Sequence, residues 1–175
     1  MDFTAKMLAD PSKLVQAQVA LWQEYMKLWQ ATAQRMMGQP AAPVAEPAKG
    51  DRRFADPAWK DEVVFDYIKQ SYLLTSRWLQ NTIHEVEGVD EKTARKVDFY
   101  SRQFIDAMSP SNFAMTNPTV VKATVESKGE NLIKGLQNLL TDLERGHGKL
   151  AIRQTDMNAF KVGGNVATSK GKVVY

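Results

Sequence analysis

Asp51-Arg52-Arg53-Phe54-Ala55-Asp56-Pro57-Ala58-Trp59 and Ser109-Pro110-Ser111-Asn112-Phe113-Ala114-Met115-Thr116-Asn117-Pro118-Thr119-Val120 bracket the stretch whose reading decides the fold. Asp56 has the short, oxygen-bearing side chain of a helix N-cap, and Pro57 suits the first helical position, where its missing N–H costs nothing. Asp61 and Glu62 put negative charge near the positive end of the helix dipole. A helix is therefore predicted from Pro57 to about Val86. Gly88 ends it and Asp90 caps the next, with Val89 placed to staple onto Ala94. That third helix carries Ala94, Val97, Ser101, Phe104, Ile105 and Met108 on one stripe, and Pro110 stops it. Asn117-Pro118 repeats the cap-then-proline signal. One further helix is expected to carry Val121, Val125, Leu132, Ile133, Leu136, Leu139, Leu140 and Leu143 up to the stop at Arg145-Gly146-His147-Gly148, with Gly129 and Gly135 weakening it and permitting either a bend or a close helix approach.

Upstream, neither glycine nor proline interrupts the chain between Pro11 and Met37, which reads as one helix of roughly seven turns behind Asp10 as N-cap. The heptad series Val15, Trp22, Trp29, Met36 is flanked by Leu14, Leu21, Leu28 on one side and by Val19, Met26, Ala33 on the other. With Tyr25 these rows make an apolar face wider than a two-stranded coiled-coil seam. Such a face can be covered by its own domain or a second copy, or by a partner protein or a hydrophobic surface; its candidate attachment residues are Leu14, Val15, Val19, Trp22, Tyr25, Met26, Trp29 and Met36. Pro40, Pro43 and Pro47 among alanines make residues 38–50 a semi-rigid linker, expected to hold the first helix away from the body. Past Gly148, short β-branched runs punctuated by Gly163-Gly164 and Gly171 predict extended structure, or a hairpin of residues 159–165 with 166–175. The fold class expected is mainly α: an amphipathic helical extension (1–37), a Pro/Ala linker (38–50), a small helical bundle (51–148) and an extended tail or short β-hairpin (149–175).

Three separated strings, DRRFADPAW, FDYIKQSYLL (Phe65 to Leu74) and SPSNFAMTNPTV, occur in that order, and together they resemble the N-terminal region of class I polyhydroxyalkanoate synthases. The resemblance runs from about Asp51 to the C-terminus and includes Asp156-Met157-Asn158-Ala159-Phe160-Lys161-Val162-Gly163-Gly164-Asn165-Val166-Ala167. Such enzymes polymerise hydroxyacyl-CoA thioesters into storage polyester. The resemblance implies that a cysteine in a Gly-x-Cys-x-Gly box, helped by a histidine and an aspartate, does the chemistry on an α/β-hydrolase-like domain following this region. This chain has no cysteine, so no catalytic position carries over, and the chain by itself is expected to be inactive. The implied role is dimerisation and attachment to the polyester granule or to granule-associated proteins. The partners expected are a second copy, the absent catalytic domain, or the granule surface. A stand-alone, phasin-like granule scaffold is the alternative, and an enzyme completed in trans a third.

Composition sets the remaining bounds. With 43% hydrophobic and 25% charged residues the 175-residue chain is ordinary for a globular protein. The formal charge of +3 is unevenly spread: residues 51–145 hold thirteen Lys/Arg against fifteen Asp/Glu, whereas residues 146–175 hold five against one. A slightly acidic helical body argues against nucleic-acid binding. No signal-like or membrane-spanning run occurs, so a cytoplasmic protein without a transmembrane segment is expected. His84 and His147 lack metal-site spacing, Lys92, Arg95 and Lys96 are interleaved with acidic residues as on a solvated face, and the glycines fit no phosphate loop. No cofactor or metal is expected. Trp59, Tyr67, Tyr72 and Trp78, at helical spacing, are expected to pack rather than to bind a ligand.

Overall fold

The computed structural model describes residues 3–8, 10–152, 156 and 159–165. Among them the protein is mainly helical: α1 Phe3–Met7, α2 Pro11–Met36, α3 Ala58–Asp61, α4 Val63–His84, α5 Glu91–Ala107, α6 Pro118–Glu126 and α7 Glu130–Arg145. The chain divides into two compact units, residues 1–125 and 126–175.

In the first unit α4 is the central element, with α2 and α5 both antiparallel to it. Contacts pair Lys13 with Glu87, Tyr25 with Ser71 and Arg35 with Asp66 along α2, and Tyr72 with Ile105 and His84 with Asp98 along α5. The starts of α2, α3, α5 and α6 are the ones the side chains dictate. Asp10 accepts from the Ser12 and Lys13 amides, Asp56 from Ala58, Asp90 from Thr93 and Asn117 from Thr119, each bond satisfying an amide that has no partner within its helix.

The first helix does not stand off from the body. Leu28 is fully buried between Ala45 and Leu74, with Leu21, Val44, Tyr67 and Leu73 packed around them. The Pro/Ala segment is thus part of the core wall, and its chain is pinned by Gln70, whose Oε1 accepts from the amides of Val44 and Ala45 at 2.7 and 3.0 Å. An alanine-rich run can do this because its small side chains let backbone approach a helix closely. Burying leucine at such a crossing is worth about 1.5–3 kcal/mol, which offsets the ordering of the segment.

Three further expectations are corrected. The helix predicted from Pro57 to Val86 is two helices, because Glu62 is extended (φ −92°, ψ 118°). The break lets Trp59, 2% exposed, turn inward against Phe54 at 5.0 Å, edge to face. On α5, Val97, Ser101 and Ile105 face inward but Ala94, Phe104 and Met108 lie outside. The helix expected to run from Asn117 to Leu143 is broken between α6 and α7, where Lys128 (φ 51°) and Gly129 (φ 88°) are left-handed. Glycine makes the second of these inexpensive.

In the second unit α7 ends in a left-handed turn at His147 and Gly148, with the Gly148 amide donating to Leu143 O at 2.9 Å. Gly146 serves differently: a Cβ there would lie 1.7 Å from Lys149 O. No β-strand element occurs among the described residues. Residues 159–165 fold back through Asn165, which accepts from the Lys161 amide and donates to Ala159 O. The other arm of the expected hairpin, residues 166–175, lies outside the described residues.

Candidate interaction surface

The strings that carry the family resemblance are joints of the fold. Asp51 caps the turn Arg52–Phe54 through the Arg53 amide and pairs with the Arg53 guanidinium at 2.9 Å. That hydrogen-bonded pairing holds the Asp51 carboxyl below its ordinary range and raises the guanidinium pKa further. Arg53 also donates to Tyr72 Oη and Asp106, linking α4 to α5. In the second loop Asn112 Nδ2 donates to the last carbonyls of α5, Asp106 and Ala107. Asn117 Nδ2 donates to Ser111 O, and Thr119 Oγ1 donates to Asp56. These side chains are spent on closing loops.

A second network positions α2. Asp66 is 4% exposed and accepts from Arg35 of α2, from Lys69 Nζ at 2.8 Å and from Gln70 Nε2 at 2.6 Å; Lys69 also donates to Trp59 O. Every partner of the buried carboxylate is therefore satisfied, the condition under which a buried charge cluster is tolerated. Sequence reading missed this cluster. Its one local signal was Asp66, Lys69 and Gln70 at i, i+3 and i+4 within an otherwise apolar helix.

With α2 fixed, its broad apolar face separates into two rows. Leu14, Ala17, Leu21, Glu24, Leu28, Ala31 and Arg35 are half-buried or buried, on the side held against the body. Val15, Val19, Trp22, Met26, Trp29 and Met36 are exposed, with Trp22 66% and Trp29 62% accessible. Of the residues singled out from the sequence, six thus share one outward row. The other two belong elsewhere: Leu14 is half-buried, and Tyr25 sits on the flank with its hydroxyl on Ser71 O and Thr75 Oγ1 at 3.2 and 2.7 Å. Large apolar side chains aligned outward over the length of a helix make this row the candidate surface.

The surface is electrically quiet. The charged side chains of α2 are Lys13, Glu24, Lys27 and Arg35, and each is paired within the unit: Lys13 with Glu87, Lys27 with Glu24, Arg35 with Asp66. Bonding to Glu87 raises the Lys13 ammonium pKa above its usual value, and the Ser12 hydroxyl lowers the Asp10 carboxyl below its own. Apolar side chains are also exposed on α5, where Phe99 and Tyr100 meet edge to face at 5.4 Å, and in the second unit along α7 at Leu132, Ile133, Leu136, Leu139 and Leu140.

Among the described residues no cluster of His, Cys, Asp and Glu could hold a metal ion, and no helix is long and apolar enough to cross a membrane. His84 Nε2 lies 2.7 Å from Asp98, which Arg102 also engages at 3.1 Å, an exposed pair that fastens α4 to α5.

Residues 50–175 match the family described as the poly-beta-hydroxybutyrate polymerase (PhaC) N-terminus. The chain is 47% identical over 168 residues to a poly(3-hydroxyalkanoate) polymerase of Methylorubrum extorquens, covering 96% of this chain and 28% of that protein. It is 41% identical over 167 residues to the polymerase subunit PhaC of Rhizobium meliloti (95% and 27% covered) and 38% identical over 175 residues to that of Cupriavidus necator (100% and 28% covered). It therefore spans little more than a quarter of the length of the curated relatives it matches. No solved structure matches it.

Proposed function

We propose a function that starts from one fact: the chain belongs to the N-terminal family of poly-beta-hydroxybutyrate polymerases. Its role is that of a non-catalytic assembly region, which associates polymerase molecules and attaches them to the polyester granule or to granule-associated protein, at the granule surface in the cytoplasm. The observation that carries this reading is the outward row of α2, which the first unit builds and leaves uncovered. Holding six large apolar side chains out of a core that could have covered them is costly unless something else covers them. The lack of cysteine supports the non-catalytic part, since a thioester-transferring nucleophile of the kind the family resemblance implies is absent from these residues.

The test is sedimentation with poly-3-hydroxybutyrate particles. The chain is expected to pellet with the particles, and the variant Trp22→Asp/Trp29→Asp to remain in the supernatant while keeping its helical circular dichroism. Equal partition of the two proteins would refute attachment through α2. In parallel, 3-hydroxybutyryl-CoA incubated with the chain is expected to release no CoA above the buffer rate. Measurable turnover would overturn the non-catalytic assignment.

A further inference from the structure

We infer that α2 is fastened to α4 in two unequal halves, and that its first half, residues 11–21, lifts from α4 as a strap while residues 25–36 stay docked. The motion is distinct from the assembly role and does not depend on it. Its basis is a contrast between the two ends of one helix crossing. At the far end Leu28 is fully buried, Arg35 donates to the buried Asp66, and Gln70 pins the segment packed on Leu28. Tyr25 marks the limit of that half, its hydroxyl bonded to Ser71 O and Thr75 Oγ1. Among residues 11–20 none is buried. This half is tied down through Lys13 and Glu87, in the turn after α4, a pair exposed on both sides, and exposed pairs contribute little.

Beneath the first half, α4 presents polar atoms that nothing satisfies. Among the described residues three buried side-chain polar atoms have no hydrogen-bond partner: Ser71 Oγ, Trp78 Nε1 and Thr82 Oγ1. They share one face of α4, spaced as i, i+7 and i+11, and that face runs from the level of Tyr25 toward the start of α2. A trough of about 760 Å³ lies along it, with Ala17, Ala20 and Leu21 of α2 and Trp78 and Thr82 of α4 in its walls. A second, of about 340 Å³, is lined by Leu14, Ala17 and Thr82. Docked, the first half therefore covers an indole N–H and a threonine hydroxyl that it cannot satisfy, and its alanines return little apolar burial. Lifted, it gives both groups to water, which removes the penalty of leaving them unmade. Nothing beyond Tyr25 has to move. A freed run of this length is a marginal helix in water, so lifting unwinds it and shows in amide exchange. It also releases Leu14, Ala17 and Leu21, so that this half presents its inward and outward apolar rows together.

The test is hydrogen exchange of the full chain, read amide by amide by nuclear magnetic resonance, in the parent protein and in Thr82→Val, which puts a methyl group where the unpartnered hydroxyl stands. The amides of residues 17–21 are expected to exchange at least about tenfold faster than those of residues 28–35, as one block with a common urea dependence. Thr82→Val should slow that block by about fivefold and leave residues 28–35 unchanged. Simple fraying would instead give rates that fall off steadily from the helix end and ignore position 82. The absence of cysteine supplies a second readout: the thiol of Thr82→Cys should react with a small reagent at urea concentrations where circular dichroism shows the chain still folded. Equal protection of the two halves, a steady gradient, a block that Thr82→Val fails to slow, or labelling that appears only with global unfolding would each overturn the strap.

Discussion

Two substitutions one residue-face apart on α2 should behave as if they belonged to different proteins. Leu28 is 0% exposed and fills the crossing of α2, α4 and the segment at Ala45, whereas Trp22 is 66% exposed on the outward row. Leu28→Ala removes a buried isobutyl body from a site walled by two helices and a pinned segment, which can collapse little. The cost expected is about 3 kcal/mol, within the range of about 2–5 for buried leucine truncation. With a urea dependence of about 1.5 kcal/mol per molar for a unit of this size, the unfolding midpoint should fall by about 2 M. Trp22→Asp removes a larger side chain but creates no cavity, so its midpoint should move by less than about 0.5 kcal/mol, or roughly 0.3 M. Both are read by circular dichroism in urea at dilute protein, where pairing adds no concentration-dependent stability. The reasoning fails if Leu28→Ala costs under about 1 kcal/mol, within the ordinary surface range, or if Trp22→Asp is as damaging as Leu28→Ala. Either result would mean that the covered and uncovered rows of α2 have been exchanged.

Asp66→Ala should lower stability by about 3–5 kcal/mol, because it strands the buried Lys69 ammonium and removes an acceptor from Arg35 and Gln70; a thermal melt displaced by only a degree or two would show that the cluster contributes little. Asp51, Asp56 and Asp90 are each held below the ordinary 3.8, first by the Arg53 side chain, the Ala58 amide and the Thr93 amide respectively. Folding favours their ionised forms, so their contribution is whole above about pH 4 and is lost as pH falls through the lowered values. The urea midpoint should therefore drop on acidification below about pH 4, and Asp51→Asn should flatten that drop; an unchanged slope in the variant would remove Asp51 from the account. Gly146→Ala should unravel the end of α7, since its Cβ would overlap Lys149 O, with loss of amide-exchange protection at Gly148, whereas the same replacement at Gly135, open on every side, should leave that amide protected.

The joints were legible before the fold was known because they are local. Asp10, Asp56, Asp90 and Asn117 each act on an amide two or three residues ahead, and no tertiary contact is needed to read such a bond. The same holds for the end of α2 near Met37. The break at Glu62 was not legible, and at Gly129 the sequence left a bend and a close helix approach equally open, since the apolar repeat continues through both and the decision to turn comes from what Trp59 packs against or from a left-handed backbone. Nor does proline and alanine content say whether a segment floats; residues 38–50 are held because Gln70, twenty-five residues from Ala45, accepts from their backbone.

From sequence alone came a mainly helical chain, the starts of α2, α3, α5 and α6, a polymerase-like N-terminal region without the nucleophile, and a wide apolar face on α2. Periodicity can count the apolar residues of a helix but cannot say which of them a neighbour will cover. Only the docking of α4 along Leu21 and Leu28 divided that face into a row consumed by the protein's own core and a row of valine, tryptophan and methionine left to something else. The physical reason is that burial belongs to a pair of surfaces, and one strand of sequence holds only half of each pair.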